Sequence, residues 1–204
     1  METLHLTRHA FAVSNVGDGV ASGTPPGEGL TAEGVEQGWR LAVALAGEEI
    51  DLGVATELLR TQETLELALA ERSVPRLQVP ELNEIGFGEF DGGPLPDYRA
   101  WAWSSPPDVP APGGGESRAQ GAARFARSLR KLLERRESVI LAVGHALMVR
   151  YVLDAVAGLV PAARMTPVPH AVAHKLSAAD IDGAAHLLES WSRAPRFRDP
   201  SKEG

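Results

Sequence analysis

Three apolar runs punctuate the chain at residues 3–7 (TLHLT), 52–56 (LGVAT) and 138–143 (SVILAV). The last is apolar without alternation, the pattern of a strand covered on both faces. Helical periodicity follows each run. One helix is predicted from Leu30-Thr31 to about Ala46, with Thr31 as N-cap and Gly34 as an interior weakness. A second is predicted to run from an N-cap at Thr56 to about Ala70, a third from an N-cap at Ser117 to about Arg136, and a fourth from near Leu147 to Gly158. Two later apolar segments, Val172–Leu176 and His186–Trp191, read as further strands. Strands alternating with helices predict an α/β fold. We expect a single-domain three-layer αβα sandwich with a mostly parallel sheet and the active site at the C-terminal edge of the strands.

Two stretches break the pattern. Residues 17–29 hold five glycines and two prolines and read as a loop. Residues 93–116 are rich in proline, end in Gly113-Gly114-Gly115, and carry Tyr98, Trp101 and Trp103. A long irregular segment with aromatic residues reads either as a lid over a substrate or as a surface excursion. The expected layout is one domain over residues 1–192, with 93–116 as a lid-like insertion, and a polar, frayed tail over 193–204.

Composition narrows the field. The formal net charge of the 204 residues is -7, which argues against a nucleic-acid partner and gives no reason to expect a membrane surface. It leaves room for an anionic substrate in a small cationic pocket. The chain has no cysteine, so disulfides, thiolate metal sites and a cysteine nucleophile are excluded, and a cytoplasmic location fits. METLHLTRHA lacks the pattern of a signal peptide, and no run is apolar enough to span a bilayer.

In a parallel sheet, ligands bind beyond the carboxyl ends of the strands. The first strand ends in Arg8-His9 and the third runs into Gly144-His145. The second leads into a helix whose Arg60 leans back toward the same crevice. Taken alone, Arg60 could equally pair with Glu57 or Glu63. Two arginines and two histidines around one point suit a phosphoryl group. The guanidinium fork binds phosphate oxygens in pairs, and neutral imidazole is available as a nucleophile near pH 7. His170 and His174 have metal-ligand spacing on a helix, but PHAVAHKL reads as loop and strand, where they would stand roughly 13 Å apart. We therefore expect no metal and no cofactor.

These residues lie within an ordered set of motifs. The first is Arg8-His9-Ala10 with Asn15, and the second Leu30, Thr31, Gly34 and Gln37. Arg60 with Thr64 follows, then Leu82, Glu84, Gly88 and Gly92 in LNEIGFGEFDG. Last come Gly115-Glu116-Ser117 with Arg124, and His145 with Arg150. Over about residues 4–177 the chain resembles the histidine phosphatase (phosphoglycerate mutase-like) superfamily. It departs from that pattern at Ala10 and Ala146, where glycine is usual after each histidine.

The resemblance implies a metal-independent phosphomonoesterase of the histidine acid or broad-specificity type, acting on a small phosphorylated metabolite. His9 would form a phosphohistidine. Arg8, Arg60 and His145 would clamp the phosphoryl oxygens, Asn15 and Ala146 would help to bind them, and Glu84 would serve as proton donor. Family mutases that bind bisphosphoglycerate carry a longer insertion with paired arginines. Residues 93–114 here are shorter and hold only Arg99, which favours hydrolysis over cofactor-dependent mutase chemistry. A non-catalytic module that binds phosphorylated partners is the third reading, and a homodimer is left open.

Overall fold

The computed structural model describes residues 1–199. Strand β1 (Thr3–Arg8) is followed by α1 (Ala32–Ala44), β2 (Leu52–Ala55), α2 (Leu59–Leu69) and β3 (Arg76–Gln78). Then come α3 (Leu95–Ser104), α4 (Arg118–Leu133), β4 (Val139–Gly144), α5 (Ala146–Val156), β5 (His174–Ser177) and α6 (Ala178–Arg193). The sheet order is β3-β2-β4-β1-β5, parallel except for the antiparallel edge strand β5. Central β4 explains its unbroken apolar run. Ile140 and Ala142 face the core shared with α4, α5 and α6, while Leu141 and Val143 face α1 and α2. The result is the expected αβα sandwich.

Capping sets several boundaries. Thr31 accepts from Gly34 N (3.1 Å), and Ser117 and Gln120 cap each other's backbone at the start of α4. Such caps contribute about 1 kcal/mol each. Gly34 is required where it stands, because a Cβ there would lie 2.0 Å from the Phe11 carbonyl oxygen.

Four expectations are corrected. His186–Trp191 is the second half of α6: Ile181, Ala184, Ala185, Leu188 and Trp191 repeat at helical spacing, and Ser177 with Asp180 forms a capping box. Residues 93–116 are not irregular throughout, because α3 occupies Leu95–Ser104 with its prolines at the start, where a missing N–H costs nothing. The N-cap of α2 is Leu58 rather than Thr56, whose hydroxyl is engaged elsewhere. The segment expected to fray is held as far as Arg198: Trp191 Nε1 donates to Arg196 O (2.8 Å) and Arg198 N to Pro161 O (3.0 Å). The rest of that expected tail, 200–204, lies outside the described residues. Strand β3 has no apolar signature to find, since it is three residues long on an exposed edge.

Candidate active site

Arg8 pairs in register with Gly144, so His9 and His145 emerge side by side from adjacent parallel strands. Their ring centroids lie 5.4 Å apart, and both residues are buried. Arg60 reaches the same point from the first turn of α2, its Nη2 3.4 Å from His145 Nδ1. Arg8, His9 and Arg60, together with Asn15, Glu84 and Ala146, line one cleft of about 310 Å³, and His145 sits buried behind its wall. The structure thus brings most of the anticipated site together, with His145 at the edge of the same cluster.

The hydrogen bonds assign the nitrogen roles. His9 Nδ1 lies 2.7 Å from Ala10 O; a carbonyl only accepts, so Nδ1 carries the proton and Nε2 keeps its lone pair. Burial, reinforced by His145, Arg60 and Arg8, holds the pKa of His9 well below the usual histidine value. The ring is therefore neutral and nucleophilic at neutral pH. Burial also keeps His145 neutral, with Arg60 and Arg8 acting the same way.

Among the described residues neither arginine has a carboxylate at salt-bridge distance, though Glu84 acts on both from further away. Arg8 Nη1 donates to Val168 O (2.9 Å), and Arg60 Nη2 donates to Ser22 O (2.7 Å). The Nε of each is buried without a hydrogen-bond partner. Glu57 and Glu63, the alternative partners of Arg60, are engaged with Asn83 and with Leu30 N. Burial pushes Arg8 down to about 10, with Arg99 and Arg60 adding to the effect and Glu84 opposing it. Buried cations without counter-charges disfavour folding unless an anion joins them. The N-terminus of α5, which begins at Ala146 and has no side-chain cap, adds partial positive charge at the same place.

The remaining motif residues hold this geometry. Ala10 N donates to Thr64 Oγ1 (2.9 Å). Phe11 is gripped by Gln37 Oε1 at its N–H and by the Thr31 hydroxyl at its carbonyl. Arg124 pairs with Glu116 (2.6 Å) and donates to the carbonyls of Glu81, Asn83 and Glu84. It thereby fixes the loop that presents Glu84. Arg150 donates to the carbonyls of Thr166 and Pro167. Asn15 turns its Oδ1 back to Ala12 N, which leaves the amide NH₂ as its donor to the cleft. Ala10 and Ala146 both lie outside the left-handed region, so alanine is unstrained at each position.

Sequence reasoning missed three participants. His170 donates from Nδ1 to His9 O (2.8 Å) and packs edge-on against the His9 ring at 5.5 Å. Thr56 contacts His145, and Arg118 lines the cleft from α4. The ordered motifs hold no signal for Arg118 or His170. Thr56 was visible only as a capping residue. Among the described residues no three histidine, aspartate or glutamate side chains converge as metal ligands would. No described helix is long and apolar enough to cross a membrane.

A buried neutral histidine, flanked by a second histidine and by two arginines at the carboxyl edge of a mostly parallel sheet, is an arrangement able to hold a phosphoryl group. A sequence model of the histidine phosphatase superfamily (branch 1) matches residues 4–193, and the chain belongs to that superfamily. It is 42% identical over 88 residues to an adenosylcobalamin/alpha-ribazole phosphatase of Escherichia coli, covering 43% of this chain and 42% of that enzyme. It is 34% identical over 145 residues to a 2,3-bisphosphoglycerate-dependent phosphoglycerate mutase of Rhizobium rhizogenes, covering 65% and 68%. The chain thus spans about half the length of the first curated relatives it matches, 42% and 58% of two alpha-ribazole phosphatases. The crystal structure of an alpha-ribazole phosphatase from Shigella flexneri superposes with a TM-score of 0.73 at 31% identity, covering 85% of this chain and 89% of that one.

Proposed function

We propose that the protein hydrolyses small phosphomonoesters through a phosphohistidine on His9, without a metal ion. The observation that carries this reading is the hydrogen bond from His9 Nδ1 to Ala10 O, which leaves Nε2 as an unprotonated nucleophile among buried guanidiniums. In the first step Nε2 attacks phosphorus and the P–O bond to the alcohol breaks. Glu84 gives its proton to the departing oxygen. In the second step water attacks phosphorus, Glu84 takes the proton, and the N–P bond breaks. Inorganic phosphate leaves and His9 returns to its neutral form.

Arg8 and Arg60 stabilise the charge that spreads over the phosphoryl oxygens, which is the main task in this chemistry. The Asn15 amide and the N–H groups at the start of α5 add neutral donors. His145 supplies another donor when the arriving dianion holds a second proton on its ring. Similarity to alpha-ribazole phosphatases, over 85% of this chain in the Shigella flexneri structure, supports hydrolysis of a small metabolite. Similarity to the Rhizobium rhizogenes mutase supports a second reading, phosphotransfer between substrates. A panel of phosphomonoesters assayed with and without 2,3-bisphosphoglycerate separates the two. Release of inorganic phosphate that is independent of the bisphosphate is expected, and turnover only in its presence would favour the mutase.

A further inference from the structure

Arg118 lines the same cleft, but its hydrogen-bond partners are Tyr151 and Met165 rather than the residues around His9. It is 6% exposed and its Nε is buried without a hydrogen-bond partner. Its neighbours are neutral. Nη1 donates to the Tyr151 hydroxyl (3.2 Å) and lies 3.7 Å from the Met165 sulfur, with the buried Tyr98 hydroxyl nearby. Among the described residues no carboxylate pairs with it. The phosphoryl machinery does not use this charge either. The neighbours that depress His9 are His145, Arg60 and Arg8, those that depress Arg8 are Arg99 and Arg60, and Arg118 is in neither set.

Charge balance makes the point again. Four guanidiniums (Arg8, Arg60, Arg99 and Arg118) line the cleft against the single carboxylate of Glu84, a formal excess of three. A phosphomonoester dianion offsets about two of these charges. Much of the remaining wall is apolar, with Ile85, Phe87, Leu95, Trp103 and Leu147. A buried guanidinium with no carboxylate partner, lining a substrate cleft, is completed by an anion that arrives with the ligand.

We propose that Arg118, with Arg99 of α3 lining the same cleft, is a second anion subsite for the alcohol part of the substrate. The preferred substrates are then phosphomonoesters that carry a further anionic group, carboxylate or phosphoryl, beyond a short apolar spacer. This rests on the phosphomonoesterase reading above, but its test does not need turnover. Titration calorimetry of the intact protein would use three alkyl phosphonates of equal length, ending in a carboxylate, a second phosphonate or a neutral carboxamide.

The wild type should bind one or both anionic compounds at least about tenfold more tightly than the amide; which one gains identifies the anion. Arg118→Met and Arg99→Ala should each shrink that preference, and Arg118→Lys should retain part of it. If Arg118→Met does not fold, Arg118→Lys and the exposed Arg99→Ala decide. Equal affinities in the wild type, or a preference that survives all the variants, would overturn the subsite. A preserved preference in the wild type alongside no hydrolysis of any phosphomonoester would overturn the hydrolase reading instead and leave the subsite standing.

Discussion

Thr56 Oγ1 lies 3.1 Å from His145 Nε2, and the direction of that bond is fixed from both ends. The Thr61 hydroxyl donates to Leu58 O (2.8 Å), so its oxygen accepts from the Thr56 hydroxyl (2.8 Å). Thr56 Oγ1 must then accept the Nε2 proton of His145. At the other side of the ring Arg60 can only donate, so Nδ1 of neutral His145 is the acceptor. Two threonines of α2 and its lead-in therefore select the tautomer of a buried histidine packed beside His9.

Thr56→Val keeps the shape and removes the hydroxyl. It should leave the protein folded, lower kcat by roughly 10–100-fold, and release the tautomer preference, as loss of a group that orients a site histidine does. Nitrogen chemical shifts of the His145 ring provide the check. A ring that stays fully Nε2-protonated in the variant would show that the threonine pair does not set it.

Glu84→Gln keeps the size and removes the proton. Phosphorylation of His9 by alkyl phosphates should slow by roughly 10²–10⁴-fold, because an alkoxide is a poor leaving group. With p-nitrophenyl phosphate the first step should suffer far less, and nitrophenol should appear as a burst followed by slow turnover. Equal single-turnover losses for both substrates, with no burst, would assign Glu84 to shaping the cleft. Glu116 is a poor substitute acid, since it is tied to Arg124 and Gly86 N.

Stability should fall as pH drops below about 6.5. Burial lowers the pKa of His9, His145 and His170 in the folded state, that of His170 to about 4. In the unfolded chain these rings protonate near 6.5. Between those values the unfolded state binds more protons, so the stability present above pH 6.5 is lost as pH falls toward the folded values. Thermal midpoints at pH 7, 6 and 5 should decrease in that order. A midpoint that is level or rising from pH 7 to 5 would contradict the buried neutral rings.

Turnover should survive dialysis against EDTA. The cleft has an excess of positive charge, which repels a divalent cation and lets guanidiniums take its usual role at phosphate. Loss of activity that Mg²⁺ or Zn²⁺ restores would point to a different mechanism.

The central strands were legible because a doubly covered strand must be apolar on both faces, as Ile140 to Val143 are. His9, His145 and Arg60 were legible because strand ends and first helical turns deliver side chains to one crevice in any parallel sheet. What escaped depends on tertiary context. Strand β3 is polar and short. The Leu187-Leu188 pair of α6 looks like a strand until Ile181 and Ala184 are counted with it. Arg118 opens a helix in the sequence like any solvent-facing arginine, and only the packing of Tyr98 and Tyr151 around it buries the charge. His170 read as a loop residue, because its bond to the His9 carbonyl spans 161 positions.

The most direct test is to trap the phosphoenzyme. The protein would be mixed with a ³²P-labelled phosphomonoester, quenched in alkali within one turnover, and digested for mapping. The account predicts acid-labile, alkali-stable label on the peptide containing His9, attached at Nε2, and none in His9→Ala. Undiminished label in His9→Ala, or label on another residue, would contradict it.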